Sequence, residues 1–430
     1  MLFSTTRFVA LGWVKDHFID AQVNFKYYGF AWVQVAPPNM MYAIHGIMIL
    51  AALGILLGAF YRISAILFFL TFVYTELIDI TYYLNHYYFV SIIAFLLIFV
   101  PANRQFSIDA WRNPAIRASH VSALTINIFK LQLAIVYIFA GLIKINYDWL
   151  INALPLKIWI PANDTLPLIG WLMQYEATPY IFSWAGMLYD TTIVFWLLLP
   201  KTRPFAYFTV IVFHAITGMM FQIGVFPLVM IGATLIFFSE KWHEKLYEIF
   251  GMVTPPPTPP RTGEGSFSPE ASVAPFWGGL GGVLGGAFLI LFFIFQLLFP
   301  WRFLLYDGNM FWTEQGYRFG WRVMLMEKAG TATFYVKDAK TGREGAVLNT
   351  DFLCSHQEKQ MAMQPDLILQ YAHFLKKHYA SLGVETPSVR AEIYVTLNGK
   401  PSKLLIDPNL DLTKIEDSWA NKSWILPFEK

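Results

Sequence analysis

The sequence predicts an integral membrane α-helical bundle followed by a small β-rich domain outside the cytoplasm. Of the 430 residues, 56% are hydrophobic and only 14% are charged, which is too much apolar surface for an ordinary soluble protein. The apolar residues gather in windows long enough to cross about 30 Å of hydrocarbon. After residue 300, charged residues and short alternating runs return. We therefore predict a membrane domain over residues 1–300 and a soluble domain over residues 301–430.

About eight windows are apolar enough to be membrane-spanning helices. They cover residues 41–60, 64–83, 87–101, 121–145, 179–199, 205–222, 223–238 and 278–299. A further apolar stretch, residues 8–14, is short and is followed at once by Lys15, Asp16 and His17. We expect it to be a partial or interfacial segment rather than a cleaved signal peptide.

A proline-rich stretch, residues 253–277, separates the last two predicted spans. Proline fills five of the six positions 255–260, which favours a stiff loop over a helix or a central strand. The last span opens with a run of glycines at 278–286. Small residues at this spacing let membrane helices pack closely, so we interpret the run as a packing motif and not as a phosphate-binding loop.

The soluble domain has the pattern of a small α+β module, which we expect to be sandwich-like. Residues 391–397 and 402–406 alternate as strands do, and Asn398-Gly399 between them is a hairpin turn signal. One helix is predicted between Pro365 and Gly383.

Basic residues are concentrated in the loops on one side of the eight predicted spans: Arg62, Arg104, Arg112, Arg117, Lys201, Arg203, Lys241, Lys245 and Arg261. The positive-inside rule places these loops in the cytoplasm. The C-terminal domain then faces a periplasm, the cell exterior or an organelle lumen. On the same count Lys144, Asn85 and His86 lie at the outer side of the membrane, and His214 lies in the outer half of its span.

Charge and cysteine content exclude several classes of function. The net charge is only +2, and no basic stripe suggests a nucleic-acid partner. The single cysteine, Cys354, rules out an internal disulfide and a cysteine-rich metal site. We expect no bound metal.

Lys144 ends a long apolar stretch and is the first candidate for catalysis. An ammonium beside hydrocarbon loses hydration, which favours the free amine and makes a general base possible near neutral pH. The plain alternative is a lysine that extends its head to the membrane interface. Ala140 and Gly141 lie four and three residues earlier, so the helix surface beside Lys144 is small and accessible to a flat ring.

Two histidines and an aromatic turn are expected at similar depth. His86 follows Asn85 in a segment rich in tyrosines, including Tyr83 and Tyr87, which would suit a ring-shaped ligand or form an ordinary interfacial aromatic belt. His214 lies within an apolar span, where it is either functional or bonded to another helix. With Lys144, these residues favour proton abstraction from a lipid-soluble phenol or quinol.

Four further ionisable residues fall within predicted spans, where charges are costly unless they are paired. Glu76 and Lys130 are expected to neutralise each other, and Asp79 could orient a histidine or lysine near the outer surface. If these residues and Asp190 instead lined a pathway, the protein would be a transporter or a binding scaffold, although no inverted repeat supports that alternative.

The chain resembles the vitamin K-dependent γ-glutamyl carboxylases and their bacterial homologues, which share the horizontally transferred transmembrane domain. The segment Ala140-Gly-Leu-Ile-Lys144 is similar to the family's lysine motif. Other similar stretches occur in the same order along nearly the whole chain: residues 58–64, 84–86, 139–149, 188–190, 213–214, 221–226, 311–312, 317–321, 341–342 and 407–408.

The resemblance implies a reaction and a set of roles. Lys144 would deprotonate vitamin K hydroquinone, as phylloquinol or menaquinol. Oxidation by O2 to the 2,3-epoxide would then generate a base strong enough to remove a γ-proton from a glutamyl residue, which takes up CO2. His86, Asn85 and His214 would handle protons or orient the ligand. Tyr83, Tyr87, Ala140 and Gly141 would contact the quinone.

The resemblance further implies that residues 317–321 recognise a glutamate-containing protein or peptide, with Tyr317 and Trp321 in contact and Arg318 and Arg322 available to pair with a carboxylate. The enzymatic alternative is a quinol epoxidase or monooxygenase without carboxylase activity.

Overall fold

The computed structural model describes residues 1–118, 120–221, 223–249 and 280–428. Its helices are α1 (Leu2–Ala10), α2 (Pro38–Leu57), α3 (Tyr61–Ile78), α4 (Asn85–Leu97), α5 (Ile108–Arg112), α6 (Ala123–Leu142), α7 (Tyr147–Leu150), α8 (Leu156–Trp159), α9 (Ala177–Leu198), α10 (Arg203–Met220), α11 (Phe226–Thr234), α12 (Glu240–Ile249), α13 (Leu280–Leu298), α14 (Met310–Thr313), α15 (Ser355–Met361) and α16 (Pro365–Ser381). Its strands are β1 (Lys328–Lys337), β2 (Glu344–Ala346), β3 (Ser388–Leu397) and β4 (Lys403–Leu404).

Five helical segments are long and apolar enough to cross a membrane: Pro38–Leu57, Tyr61–Ile78, Ala123–Leu142, Ala177–Leu198 and Gly285–Leu305. Two shorter apolar helices are Asn85–Leu97 and Phe226–Phe237. Every predicted window contains a helix, but the count of about eight spans is not confirmed. At 1.5 Å per residue, the 13 residues of α4 cover only about 20 Å. The predicted proline-rich loop lies outside the described residues.

The helices pack as two adjoining groups. Helices α2, α3 and α4 share one apolar cluster that includes Met48, Phe68 and Phe72. A larger cluster joins α4, α6, α9, α10 and α11 with α13. Within this second group α6 and α9 pack side by side, and the candidate site lies at the outer end of their contact, at the C-terminus of α6.

The C-terminal domain contains one antiparallel sheet in the order β2-β1-β3-β4. Strands β1 and β3 pair over ten residues, from Lys328 opposite Leu397 to Lys337 opposite Ser388. The predicted helix and hairpin are confirmed as α16 and β3–β4. The sandwich-like expectation was wrong for the described residues, because the apolar face of the sheet packs against α15 and α16 and not against a second sheet.

An extended segment near the N-terminus belongs to the core of the C-terminal domain. Val23, Phe25 and Tyr27 pack in the same cluster as the buried side chains of the sheet and α16. The backbone of Lys26 exchanges two hydrogen bonds with the side chain of Gln370, at 2.7 and 2.9 Å. The membrane and soluble domains are therefore held together by residues 23–27, which pack into the core of the C-terminal domain.

Candidate functional site

A buried ion pair between Lys144 and Asp190 lies at the centre of the candidate site. Lys144 follows the C-terminus of α6, and its Nζ donates to Asp190 Oδ2 at 2.6 Å and to the carbonyl oxygen of Ala140 at 2.9 Å. Each residue is only 6% exposed. Lys144 therefore does not extend to the membrane surface, and the structure rules out the snorkelling alternative.

Gly141 allows the two helices to approach closely enough to form this pair. A Cβ atom at position 141 would lie 2.5 Å from Thr191 Cγ2, 2.6 Å from Thr191 N and 3.0 Å from the carbonyl carbon of Asp190. Two of these three atoms belong to the backbone of α9, so a side chain here could be accommodated only by separating the helices. The predicted contact between Gly141 and a ligand is thus replaced by a contact with α9.

We expect Gly141→Ala to separate α6 from α9, lengthen the Lys144–Asp190 contact and destabilise the protein by about 1–3 kcal/mol through overpacking. Thermal unfolding of the purified protein in detergent measures this effect. Gly186→Ala is the matched control on α9, since its nearest contact to an added Cβ is 4.0 Å away, at Trp149. Equal stability of both variants and wild type would contradict the close-packing role.

An aromatic cavity of about 110 Å³ adjoins the ion pair. Lys144, Asp190 and Ala140 contribute to one wall, and the remainder is mainly apolar, with Trp149, Trp159, Phe182, Phe213, Phe221 and Phe226 among its lining residues. The Lys144 ammonium lies 5.5 Å from the ring centre of Trp149. Val323 and Met324 of the C-terminal domain complete the lining. The cavity thus combines flat apolar walls with one buried charge pair.

His214 also lines this cavity, in addition to the Lys144–Asp190 pair. Its Nε2 lies 3.3 Å from the hydroxyl oxygen of Tyr137, which is also 3.3 Å from Thr234 Oγ1. Its Nδ1 is buried and has no hydrogen-bond partner in the described part of the chain. The imidazole is therefore held by one nitrogen while the other remains available to a ligand.

Asn85, His86, Tyr83 and Tyr87 do not line the cavity beside Lys144. The His86 ring lies 5.6 Å from the ring of Phe226, which is 5.8 Å from that of His214. Phe226 thus stands between the two histidines. Tyr83 and Tyr87 line a separate cavity between α1, α2, α3 and the C-terminal domain.

Asn85 and Tyr83 tie the membrane domain to residues 317–322. Asn85 Nδ2 donates to the carbonyl oxygen of Arg322 at 2.9 Å, and the Tyr83 hydroxyl donates to Asn85 Oδ1 at 3.1 Å. The backbone N–H of Phe319 donates to the Tyr83 oxygen at 2.8 Å. This network fixes the position of the segment that precedes Val323 and Met324.

The segment 317–324 has an unusual backbone. Phe319, Trp321 and Met324 all adopt positive φ angles, between 55° and 58°, which are uncommon for residues other than glycine and store strain. The turns direct Trp321 into the core of the bundle, where its ring stacks on Tyr88 at 4.8 Å. Trp321 therefore anchors the segment, and Met324 reaches the cavity. Tyr317 packs against Phe311 at the base of the segment.

The structure places both predicted glutamate-binding arginines against groups of the protein itself. Arg318 forms an ion pair with Asp366 at 2.6 Å and also donates to Gln364. Arg322, only 2% exposed, donates to the carbonyl oxygens of Gly316, Tyr317 and Pro300. Neither guanidinium lines the Lys144 cavity, because these internal acceptors already hold them.

Asp366 gives a pH-dependent contribution to stability. Burial alone would raise the pKa of Asp366, but the Arg318 guanidinium, together with the smaller effects of Lys422 and the backbone N–H of Leu367, outweighs burial and holds that pKa below its usual range. This contribution to stability is therefore present above the pKa of aspartate in the unfolded chain, about 3.9. It is lost as the pH falls through the lower pKa of Asp366 in the folded protein. We expect Asp366→Asn to lower stability by about 3 kcal/mol at pH 7.

Unfolding transitions of wild type and Asp366→Asn measured between pH 3 and pH 7 test this prediction. The difference between the two proteins should shrink at the acid end. Glu385→Gln, which removes an exposed ion pair with Lys340, is the control and should change stability little at any pH. A pH-independent difference for Asp366→Asn would contradict the assignment.

The predicted pairing of Glu76 with Lys130 was wrong. Glu76 lies two residues before the C-terminal, outer end of α3, whereas Lys130 lies in the first half of α6, towards the cytoplasm. The two side chains therefore differ in depth, and the described residues contain no such ion pair. Asp79 accepts hydrogen bonds from Thr81 and from Gln357 of α15. Lys26 is close enough to interact with it electrostatically, but in the described part of the chain no histidine or lysine donates a hydrogen bond to Asp79.

Comparison with known protein families identifies both parts of the chain. Residues 1–242 match the HTTM domain, and residues 283–430 match the lumenal domain of vitamin K-dependent gamma-carboxylase. No solved structure matches the chain. The candidate membrane helices and the lumenal-domain match agree with a multi-pass membrane protein whose C-terminal domain is lumenal. The chain therefore belongs to the vitamin K-dependent gamma-glutamyl carboxylase family.

Proposed function

We propose that this protein couples the oxidation of vitamin K hydroquinone to the carboxylation of glutamyl residues in a protein or peptide. The observation that carries the proposal is the buried Lys144–Asp190 pair in the wall of an aromatic cavity that the lumenal domain completes. The family supports an enzyme of this type. The reaction and the roles of the residues are what the resemblance to the family implies, applied to the geometry of the site.

The ion pair can accept a proton from a phenol. In an apolar cavity, two separated charges are costly, and transfer of one proton within the 2.6 Å contact converts the pair into a neutral amine and a neutral acid. Lys144 then presents a free amine to the cavity while Asp190 holds the proton. Asp190 is thus a positioning residue that stores the proton Lys144 must release before it acts as a base.

The cavity fits a flat, lipid-soluble ring. Its aromatic walls provide stacking surfaces, and the unpartnered Nδ1 of His214 offers a second polar contact in the lining of the same cavity. When bound, the hydroquinone would supply, through its oxidation by O2 to the 2,3-epoxide, a base far stronger than an amine. The identity of the ring, as phylloquinol or menaquinol, is part of this proposal. So is the use of O2 and CO2 as co-substrates.

The glutamyl substrate would approach from the lumenal side. Residues 317–324 link the lumenal domain to the cavity through Val323 and Met324, and Asn85 and Tyr83 hold this segment in place. A glutamyl side chain carried by this face would reach the same cavity as the ring. Because Arg318 and Arg322 bind internal groups, they act in this proposal by shaping the segment and not by pairing with the substrate carboxylate.

The test is an assay of purified protein with vitamin K hydroquinone, O2, labelled bicarbonate and a short glutamate peptide. The proposal predicts both vitamin K epoxide and labelled peptide. Epoxide without label across several glutamate peptides would select the epoxidase alternative, which the internal pairing of both arginines favours. Neither product from folded protein would contradict the proposed function.

A further inference from the structure

Three polar contacts in series connect His214 to helix α11. His214 Nε2 lies 3.3 Å from the hydroxyl oxygen of Tyr137, and that oxygen lies 3.3 Å from Thr234 Oγ1. Thr234 Oγ1 in turn lies 2.8 Å from the carbonyl oxygen of Met230. The three side chains are at most 3% exposed, so bulk water does not supply hydrogen bonds to them. Each therefore depends on its neighbour in this series for a hydrogen bond.

The direction of these hydrogen bonds follows from the group at the end of the series. A carbonyl oxygen can only accept, so the Thr234 hydroxyl donates its one proton to Met230. The Thr234 oxygen can then only accept, and Tyr137 uses its own proton in that bond. The Tyr137 oxygen therefore accepts from His214 Nε2. In this assignment all three contacts are hydrogen bonds, Nε2 carries a proton, and Nδ1 of the neutral ring has none.

The opposite direction is less favourable. If Tyr137 donated to His214 Nε2, its oxygen would face that of Thr234 with no proton between them, and Nδ1 would carry a buried proton. Nδ1 has no hydrogen-bond partner in the described part of the chain, and a buried N–H without an acceptor is costly. The hydroxyl of Tyr189 also approaches that of Tyr137. A donation from Tyr189 leaves the direction unchanged, because the Tyr137 oxygen has two lone pairs.

The buried position of His214 favours the neutral ring. His214 is only 3% exposed, and it forms no ion pair with a carboxylate of any described residue. A buried cation without such a partner is costly. The tautomer of the neutral ring therefore decides whether His214 offers a donor or an acceptor to a ligand.

We propose that Tyr137 and Thr234 are positioning residues that hold His214 in the tautomer with an unprotonated Nδ1. His214 then serves the Lys144 cavity as a hydrogen-bond acceptor. Thr234 does not line the cavity and acts through Tyr137. The consequence for the ligand rests on the proposed function. A hydroxyl group of the bound ring would donate to Nδ1, whereas a carbonyl oxygen in the same position would be repelled by the nitrogen lone pair.

The test is solid-state nitrogen NMR of the ligand-free full chain in lipid nanodiscs, with isotope-labelled histidine. Protonated and unprotonated ring nitrogens have separate chemical shifts, and His214→Gln identifies the signals of His214 among the nine histidines. We expect the tautomer with an unprotonated Nδ1 in roughly tenfold excess, because the opposite direction loses a hydrogen bond and buries an unpaired N–H. A wild-type spectrum with the proton on Nδ1 would overturn the inference, and this result requires no variant to fold.

A double variant tests the role of Thr234. Thr234→Val with Tyr189→Phe removes the hydroxyl groups of two neighbours of Tyr137, while valine keeps the shape of threonine. Tyr137 then loses its acceptor and can donate to His214 Nε2, so we expect the Nδ1-protonated tautomer at a level comparable with the other. Tyr189→Phe alone, and Thr234→Ser with Tyr189→Phe, are the matched controls that keep the hydroxyl at position 234 and should show the wild-type tautomer. An unchanged tautomer in the valine variant would contradict the positioning role.

Addition of ligand separates this inference from the proposed function. Radiolabelled vitamin K1 hydroquinone is added without oxygen, and both the bound ligand and the Nδ1 signal are followed. We expect bound hydroquinone to move the Nδ1 signal towards its protonated value and the oxidised quinone to leave it unchanged. Bound hydroquinone without this movement, or the same movement with the quinone, would overturn the acceptor role. A lack of binding would contradict the proposed function instead, and the ligand-free spectra would still decide the tautomer.

Discussion

Lys144→Ala is expected to lower the formation of both vitamin K epoxide and carboxylated peptide by about 10³-fold, in the range measured for loss of a general acid–base group. Among the described residues that line the Lys144 cavity, only Lys144 can present an amine to a ligand, and its Nζ is held at that wall by Asp190 and by the carbonyl oxygen of Ala140. Both products should fall together, because one proton transfer precedes both. Initial rates of the two products from one reaction mixture measure the effect.

The matched control is Lys157→Ala. Lys157 is also a lysine of the lumenal side, but it is exposed, bonds to Tyr180 and does not line the cavity. Its variant should retain wild-type rates of both products. Unchanged product formation in Lys144→Ala, with the protein folded, would contradict the assignment of Lys144 as the base.

Asp190→Leu is expected to cost about 3–5 kcal/mol of stability, because it leaves a buried ammonium without its partner. Replacing both members, as Lys144→Met with Asp190→Leu, should restore most of that stability, since an apolar pair fills the space without desolvated charge. Activity should stay absent in both variants. Thermal unfolding together with the product assay separates the two effects.

The double variant also separates two causes of lost activity that the single changes leave combined, namely loss of the proton-transfer groups and loss of stability. A protein that is stable but inactive shows that the ion pair serves chemistry, not folding. If the double variant were as unstable as Asp190→Leu, or if it retained epoxide formation, the assigned role of the pair would be wrong. Asp148→Asn, a lumenal carboxyl change outside the cavity lining, serves as the control for charge removal.

The parts of the fold that the sequence predicted well depend on local patterns. Apolar windows contain helices because membrane-length apolar runs have few other stable forms. The hairpin β3–β4 follows from Asn398 and Gly399, both of which have the positive φ that a tight turn requires. The number of spans was not predictable in the same way, because α4 and α11 are shorter than their apolar windows.

The site was predicted in its central residue but not in its geometry. Lys144 stood out because a charged group within an apolar run is costly to bury and therefore indicates a functional site. Its partner Asp190, 46 residues away, was recognised only as a costly carboxyl group, since the contact depends on how Gly141 lets α6 and α9 pack. Tyr137, which contacts His214, and Thr234, which contacts Tyr137, carry no sequence signal that distinguishes them from other span residues.

Long-range contacts explain the remaining differences. Arg318 and Arg322 look available in the sequence, but Asp366 and three backbone carbonyl groups hold them in the structure. The segment around Val23 and Phe25 carries no motif for docking, yet it completes the core of a domain that begins about 300 residues later. Such pairings depend on tertiary structure and not on local propensity.

The most direct test of the central claim is to observe the proton transfer itself. Vitamin K hydroquinone is mixed with wild-type protein without oxygen, and its ultraviolet absorption is followed in a stopped-flow instrument, with the Lys144→Met, Asp190→Leu double variant as the comparison. We predict that bound hydroquinone takes on the spectrum of its anion in the wild type and keeps the neutral spectrum in the variant. The same spectrum in both proteins would contradict the claim that the Lys144–Asp190 pair initiates the reaction.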